Sequence, residues 1–301
     1  MTLGYEKSLY ILAFDHRSSF QKLLGITNKP PTPEDVSRTQ EAKMIIFEGF
    51  EKALAGPVGA GSAGLLVDEQ YGADVARKAS SQGFTLAMPV ERSGQNEFDF
   101  EFGEDFGKHI KDFNPTFSKV LVRYNPEGDK EMNVRQSERL RRLGDWLHSE
   151  DRKFLFELLV PAEPSQLDAV GGSVDRYDEE TRPGLMLRTI EELQDAGVEP
   201  DIWKIEGISD RDSCRRITEV VRRDGRIGVG CVVLGRGADD AKVDEWLRAG
   251  SGLEGYIGFA IGRSIFGEAM KGIGSGSLDR AAATDSIARK YTRFIEVYQK
   301  G

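Results

Sequence analysis

Short apolar runs alternate with longer segments of helical period along most of the 301-residue chain. Eight runs rich in Val, Ile, Leu and Phe read as strands: LYILAFDH (9–16), GLLVDE (64–69), TLAMPVE (85–91), KVLVRYN (119–125), KFLFELLVP (153–161), DIWKIEG (201–207), VGCVVLGRG (229–237) and YIGFAIGRS (256–264). Amphipathic helices are predicted between them. Thr32 sits where it can cap a helix that starts at Pro33, a favoured first-turn proline, and runs toward Leu54. Asn133 precedes VRQSERLRRLGDWLHSE, in which Leu140, Leu143 and Leu147 share one face. RPGLMLRTIEELQDAGV ends on Gly197, where a left-handed terminator would sit. DDAKVDEWLRA and the final DSIARKYTRFIEVYQ carry the same periodicity.

Strand–helix alternation repeated eight times implies a parallel sheet with right-handed crossovers, and eight strands is the number that closes. The expected fold is therefore α/β, a (β/α)8 TIM barrel, as a single domain over residues 1–301. A doubly wound open sheet is the rival, but it wants a glycine-rich turn after the first strand, and FDHRSSF offers none. The long polar and aromatic stretch RSGQNEFDFEFGED (92–105) reads as a flap over an active site rather than a domain boundary.

The period of two along the strands exposes an anomaly. Lys119, Leu121 and Arg123 share a face, as do Leu155, Glu157 and Leu159, and Ile202, Lys204 and Glu206. The opposite faces are apolar, so these charges must line the barrel, where chemistry gathers at the C-terminal strand ends. Asp15, Asp68 and Glu91 join them at the ends of the first three strands. A lysine that is desolvated beside another cation releases its proton more readily, which frees a neutral amine to act as a nucleophile. Ion pairs that merely close the barrel mouth are the alternative. Two inward lysines, an arginine and several carboxylates on five or six strands favour chemistry, because burying so many charges does little for stability.

The last two strands end in LGRGAD and IGRSIF. Gly235, Arg236 and Gly237, with Gly262, Arg263 and Ser264, offer backbone N–H groups and two guanidinium groups where barrels often bind phosphate. Zinc chemistry would need two or three histidines at strand ends, and only His16 lies at one; His109 and His148 fall in predicted helices. Asp15, His16, Asp68 and Glu91 form the alternative of a magnesium site, but the expectation is no metal and no cofactor. The net charge of −9, without a basic tract, argues against a nucleic-acid partner. No apolar window approaches the roughly 18 residues of a membrane span, and the run Leu9 to Phe14 is too short for a signal core. Cys214 and Cys231 show neither metal nor redox spacing. A cytoplasmic protein with no membrane partner is expected.

The motifs ILAFDHR, LLVDEQYG, KVLVRYNPEGD, FLFELL and DIWKIE resemble, in order, those of the class I, Schiff-base aldolases of the tagatose-1,6-bisphosphate aldolase branch. AMPVERSGQNEFDFEFGEDF, VLVRYNPEGD, DIWKIEG and VLGRGADDAKV are similar, almost word for word, to the aldolase-like domain associated with 5-dehydro-2-deoxygluconokinase in inositol breakdown. The resemblance implies that Lys204 forms the Schiff base, that Glu157 is the acid/base, that Lys119 assists, and that Asp15 orients the reacting hydroxyl. It implies that Arg263, Gly262 and Gly235–Gly237 hold the phosphate of a dihydroxyacetone phosphate half. Tagatose-type enzymes differ after the seventh strand, where this chain has Arg236. That departure suggests that Arg92, Arg123 or Arg236 meets a non-phosphate anion on the aldehyde half. The implied substrate is 2-deoxy-5-keto-gluconate 6-phosphate; tagatose bisphosphate, a sulfonated ketose phosphate, or a non-catalytic sugar-phosphate-binding barrel partnering a kinase are the alternatives. Barrel aldolases often assemble, so a homo-oligomer is expected.

Overall fold

A computed structural model describes residues 2–56 and 59–301. Eight strands pair in sequence order and close on themselves: β1 (Leu9–Ala13), β2 (Ala63–Leu66), β3 (Thr85–Pro89), β4 (Phe117–Arg123), β5 (Lys153–Leu159), β6 (Ile202–Glu206), β7 (Gly230–Leu234) and β8 (Tyr256–Ile261). Every pairing is parallel, β8 back to β1 included. The fold is a closed (β/α)8 barrel with its helices outside the sheet.

Two apolar layers hold it. One fills the lower barrel with Leu9, Ile11, Ala13, Leu66, Ala87, Phe117, Leu155, Ile202, Val232, Ile257 and Ala260. The other lies between sheet and helices, where Val120, Val122, Phe156, Trp203 and Ile205 present the outward faces of β4 to β6. Because side chains alternate, the next inward positions above the lower layer are Asp15, Lys119, Glu157 and Lys204. They crown this apolar plug.

Local sequence accounts for the element ends. The helix Pro33–Leu54 opens on a capping box: Asp35 N donates to Thr32 Oγ1 at 3.2 Å and Thr32 N to Asp35 Oδ2 at 3.0 Å. Gly197 has φ +79° and follows the helix Arg182–Asp195 as the pattern requires. One expected boundary is corrected. The helix placed after Asn133 runs Lys130–Ser149 and is capped by Asp129, whose carboxylate accepts from Met132 N. Asn133 lies inside it, buried, donating to Asn125 O at 2.8 Å.

The stretch 92–105 is a pinned wall more than a loose flap. Glu91 and Phe100 form an antiparallel bridge, Phe98 and Phe100 are buried, and Glu97 binds Arg135 and Arg139 on the helix Lys130–Ser149. No helix among the described residues is long and apolar enough to cross a membrane. Cys214 and Cys231 are free and buried.

Candidate active site

A cavity of about 770 Å³ opens at the C-terminal ends of the strands. Its floor is a chain of opposite charges. The Lys119 ammonium lies 2.8 Å from Asp15 Oδ2, 2.7 Å from Glu91 Oε1 and 2.9 Å from Glu157 Oε2. The other oxygen of Glu157 is 2.9 Å from Lys204 Nζ. Glu157 therefore bridges two lysines, a consequence of register: it pairs with Leu121 on one side and with Lys204 itself on the other. Lys119 and Lys204 are 1 % and 2 % exposed, so these contacts form in a desolvated setting where each is stronger than in water.

Electrostatics sorts the groups. Burial alone would lower Lys119, but Asp15, Glu157 and Glu91 outweigh it and hold the ammonium well above its ordinary value. Burial would raise Asp15 and Glu157; Lys119 and Lys204 reverse this and keep both carboxyls below the usual range. Glu91, whose carboxylate meets Lys119, is pushed up by burial. A divalent cation would need the space between these carboxylates that the Lys119 ammonium fills. Among the described residues no group of three or more His, Cys, Asp or Glu is arranged to hold a metal.

His16 lines the cavity beside this cluster, its Nδ1 3.9 Å from Asp15 Oδ1. Burial depresses its pKa to about 4, with Lys204 and Arg263 adding to the effect against the pull of Asp15. The ring is therefore neutral at physiological pH, and an NMR titration of the folded protein should show no His16 midpoint between about pH 5 and 8. A midpoint near 6.5 would mean that the ring is solvated. The unfolded chain takes up this proton at higher pH than the folded one, so His16 removes stability as pH falls from about 6.5 toward 4.

The β7 and β8 ends form the opposite wall. Arg236 has φ +51° and Gly237 φ +77°, a left-handed pair that turns the backbone toward the cavity. Arg263 heads the helix Arg263–Ser275 and donates from Nη2 to Arg236 O at 2.9 Å. Gly262 packs so closely on β1 that a Cβ there would stand 2.1 Å from Ala13 O. The Arg236 guanidinium, however, is already engaged: it pairs with Asp178 and lies 3.1 Å from Glu206 Oε1. Arg92 and Arg123 line the cavity with less to hold them, Arg92 3.3 Å from Asp99 and Arg123 donating to Gln95 O at 2.9 Å.

The cavity thus gathers Lys204, Glu157, Lys119, Asp15, Glu91, His16, Arg92, Arg123, Gly235, Arg236, Gly237, Gly262 and Arg263. Asp68 is the exception and corrects the sequence reading. β2 ends at Leu66, so the inward–outward alternation stops before residue 68. Asp68 caps the helix Glu69–Ser81 through Tyr71 N and pairs with the buried Lys43, outside the cavity. Sequence reasoning missed Lys43, although a lysine beside Ala42, Ile46 and Phe47 on a buried helical stripe was a legible signal. It also missed Asp178 and Arg182, which hold each other at 3.0 Å near Glu206; both lie on helical turns with no period-two cue.

A parallel eight-stranded barrel with a buried lysine–carboxylate relay at its C-terminal mouth has the layout of a barrel enzyme site. The chain belongs to the family described as "Uncharacterized protein conserved in bacteria (DUF2090)", whose model matches residues 4–301. It is 25% identical over 164 residues to tagatose 1,6-diphosphate aldolase 2 of Streptococcus pyogenes serotype M1, covering 52% of this chain and 46% of that protein. Against tagatose 1,6-diphosphate aldolase 1 of Streptococcus mutans serotype c it is 24% identical over 178 residues, covering 53% and 51%. The match spans about half the length of these curated relatives. Among solved structures it is similar to an archaeal fructose 1,6-bisphosphate aldolase, with TM-score 0.60, 15% identity and coverage of 98% and 95%. A second archaeal fructose-1,6-bisphosphate aldolase, with its catalytic Lys bound to the carbinolamine intermediate, gives TM-score 0.58, 16% identity and coverage of 97% and 94%. At these identities the structural likeness speaks for the fold.

Proposed function

We propose that this chain is a class I aldolase that cleaves a ketose phosphate through a Schiff base on Lys204. The observation that carries the reading is the Glu157 carboxylate held 2.9 Å from Lys204 Nζ with its other oxygen on Lys119. Lys204 gives a proton to Glu157, its freed amine attacks the ketone, and Glu157 relays the protons that turn the carbinolamine into an iminium and water. Asp15 takes the proton of the hydroxyl on the departing half. The carbon–carbon bond breaks, its electron pair passes to the iminium, and an aldehyde leaves. The remaining enamine is protonated and hydrolysed by water, which restores Lys204. The aldolase names of the curated relatives support this class.

The substrate that fits best is 2-deoxy-5-keto-gluconate 6-phosphate, split into dihydroxyacetone phosphate and malonate semialdehyde. The Gly235–Gly237 turn and the N-terminus headed by Arg263 suit the phosphate end. With Arg236 taken by Asp178 and Glu206, Arg123 is the guanidinium on β4 best placed for the carboxylate of the aldehyde half.

The test is borohydride reduction in the presence of this ketose, read by intact mass and peptide mapping, with a product assay on the wild type and on Arg123→Ala. A reduced adduct on Lys204 and cleavage insensitive to EDTA are expected. Arg123→Ala should raise KM for the carboxylated ketose about 10- to 100-fold, the range of one lost charge-assisted contact, while dihydroxyacetone phosphate still traps. No adduct with either compound, together with thermal stabilisation by them, would replace the enzyme with a sugar-phosphate-binding barrel. An unchanged KM would remove Arg123 from the aldehyde side.

A further inference from the structure

Lys43 is fully buried on the helix Pro33–Leu54, yet it does not reach the cavity. All three of its ammonium protons have acceptors: Phe14 O at 2.6 Å, His16 O at 3.0 Å and the carboxylate of Asp68. The two carbonyls belong to the residues on either side of Asp15. β1 ends at Ala13, so no ladder partner takes them, and buried carbonyls require one. Asp68 is held in turn by Tyr71 N at 2.9 Å, and Phe14 N donates to Leu66 O at 2.8 Å, which ties the assembly to β2.

Stability does not explain an ion pair here. The surroundings are apolar, with the Phe20 ring centroid 5.1 Å from the ammonium, and a hydrophobic pair in such a place is often as stable or more so. What an ammonium supplies and a methyl group does not is three directed donors on one centre. We propose that Lys43, fastened by Asp68, is a positioning residue: it grips the backbone on both sides of Asp15 and so fixes where that carboxylate meets Lys119 and the substrate hydroxyl. The inference rests on the aldolase reading for its catalytic consequence, but not for the clamp itself.

Removing Lys43 alone would strand the Asp68 charge, so the informative variant is the double substitution Lys43→Met/Asp68→Asn, in which the asparagine oxygen can still accept from Tyr71 N. Hydrogen exchange in the peptide covering residues 14–17 should accelerate at least about tenfold, with the β4 to β6 peptides unchanged. A carboxylate displaced by about 1 Å predicts a fall in kcat of about 10- to 100-fold with KM within about threefold. Trapping of dihydroxyacetone phosphate on Lys204 should persist, because Asp15 serves bond cleavage and not imine formation. Lys43→Gln/Asp68→Asn keeps a donor on the side chain and should recover most of the lost kcat and of the lost protection at residues 14–17; if the methionine variant does not fold, Lys43→Leu/Asp68→Asn carries the exchange measurement. Unchanged exchange at residues 14–17, or kcat within twofold of wild type, would overturn the proposal. So would a parallel loss of protection across the whole barrel, which would make Lys43 a general packing residue. A wild type that fails to trap would sink the aldolase reading alone, and the exchange data would still decide whether the clamp exists.

Discussion

Lys204→Met is expected to lower ketose cleavage by a factor on the order of 10⁴–10⁶, the range seen when a covalent nucleophile is removed, and to abolish the borohydride-stable adduct. Methionine keeps the apolar stem, which is packed on a fully buried strand. It also leaves Glu157 paired with Lys119 at 2.9 Å, so no isolated charge is stranded in the barrel. The stability loss should stay within the roughly 1–3 kcal/mol of one broken charged contact. Intact mass after reduction and chemical unfolding separate the two effects. An adduct that persists in Lys204→Met, mapped to Lys119, would overturn the assignment, since Lys119 is the other buried lysine facing the cavity.

Lys119→Met should show the opposite balance, with stability hit hardest. The ammonium is the shared partner of Asp15, Glu91 and Glu157, and removing it leaves three buried carboxylates with Lys204 as the remaining nearby ammonium, 2.9 Å from Glu157. Breaking a buried pair by deleting one partner costs about 3–5 kcal/mol. Its pH dependence is the diagnostic. In the wild type, Asp15 and Glu157 have depressed carboxyls, so the stability they contribute is fully present above their unfolded values near 4 and is lost only as pH falls through the lower folded values. Without Lys119 the depressing cation is gone and burial raises all three carboxyls. The folded variant then binds protons at these carboxyls more tightly than the unfolded chain. Its deficit relative to the wild type should therefore shrink as pH drops from 7 to 5, on top of the His16 loss that both proteins share. Urea unfolding at the two pH values measures this. An equal deficit at both would mean that the carboxylates do not feel the missing ammonium.

Both results bear on why one glutamate touches two lysines. On the proposed mechanism Glu157 gives and takes protons during imine formation, which calls for a carboxyl that is not locked in either state. Lys119 and Lys204 hold it ionised in the resting site, and a proton passed from Lys204 to Glu157 would shift that balance from the other side.

The barrel, its eight strands and the inward row of charges were legible in the sequence because each depends on a local period. Strand–helix alternation sets the topology, and a repeat of two decides which face Lys119, Glu157 and Lys204 occupy. Periodicity fails where regular structure stops. Asp68 lies two residues past the end of β2, so counting by twos aimed it into the cavity, whereas its capping bond to Tyr71 and its pairing with Lys43 turn it away. Arg236 illustrates the other limit: its residue type suggested an anion reader, but Asp178, 58 positions earlier, already neutralises it. Lys119 and Asp15 are 104 positions apart, and which carboxylates share the ammonium follows from barrel closure rather than from either segment. The sequence by itself determined the fold and the faces, since those follow from local geometry. Only the tertiary structure decided the partners, because Coulomb energy and hydrogen bonding depend on distances of about 3 Å that no local pattern encodes.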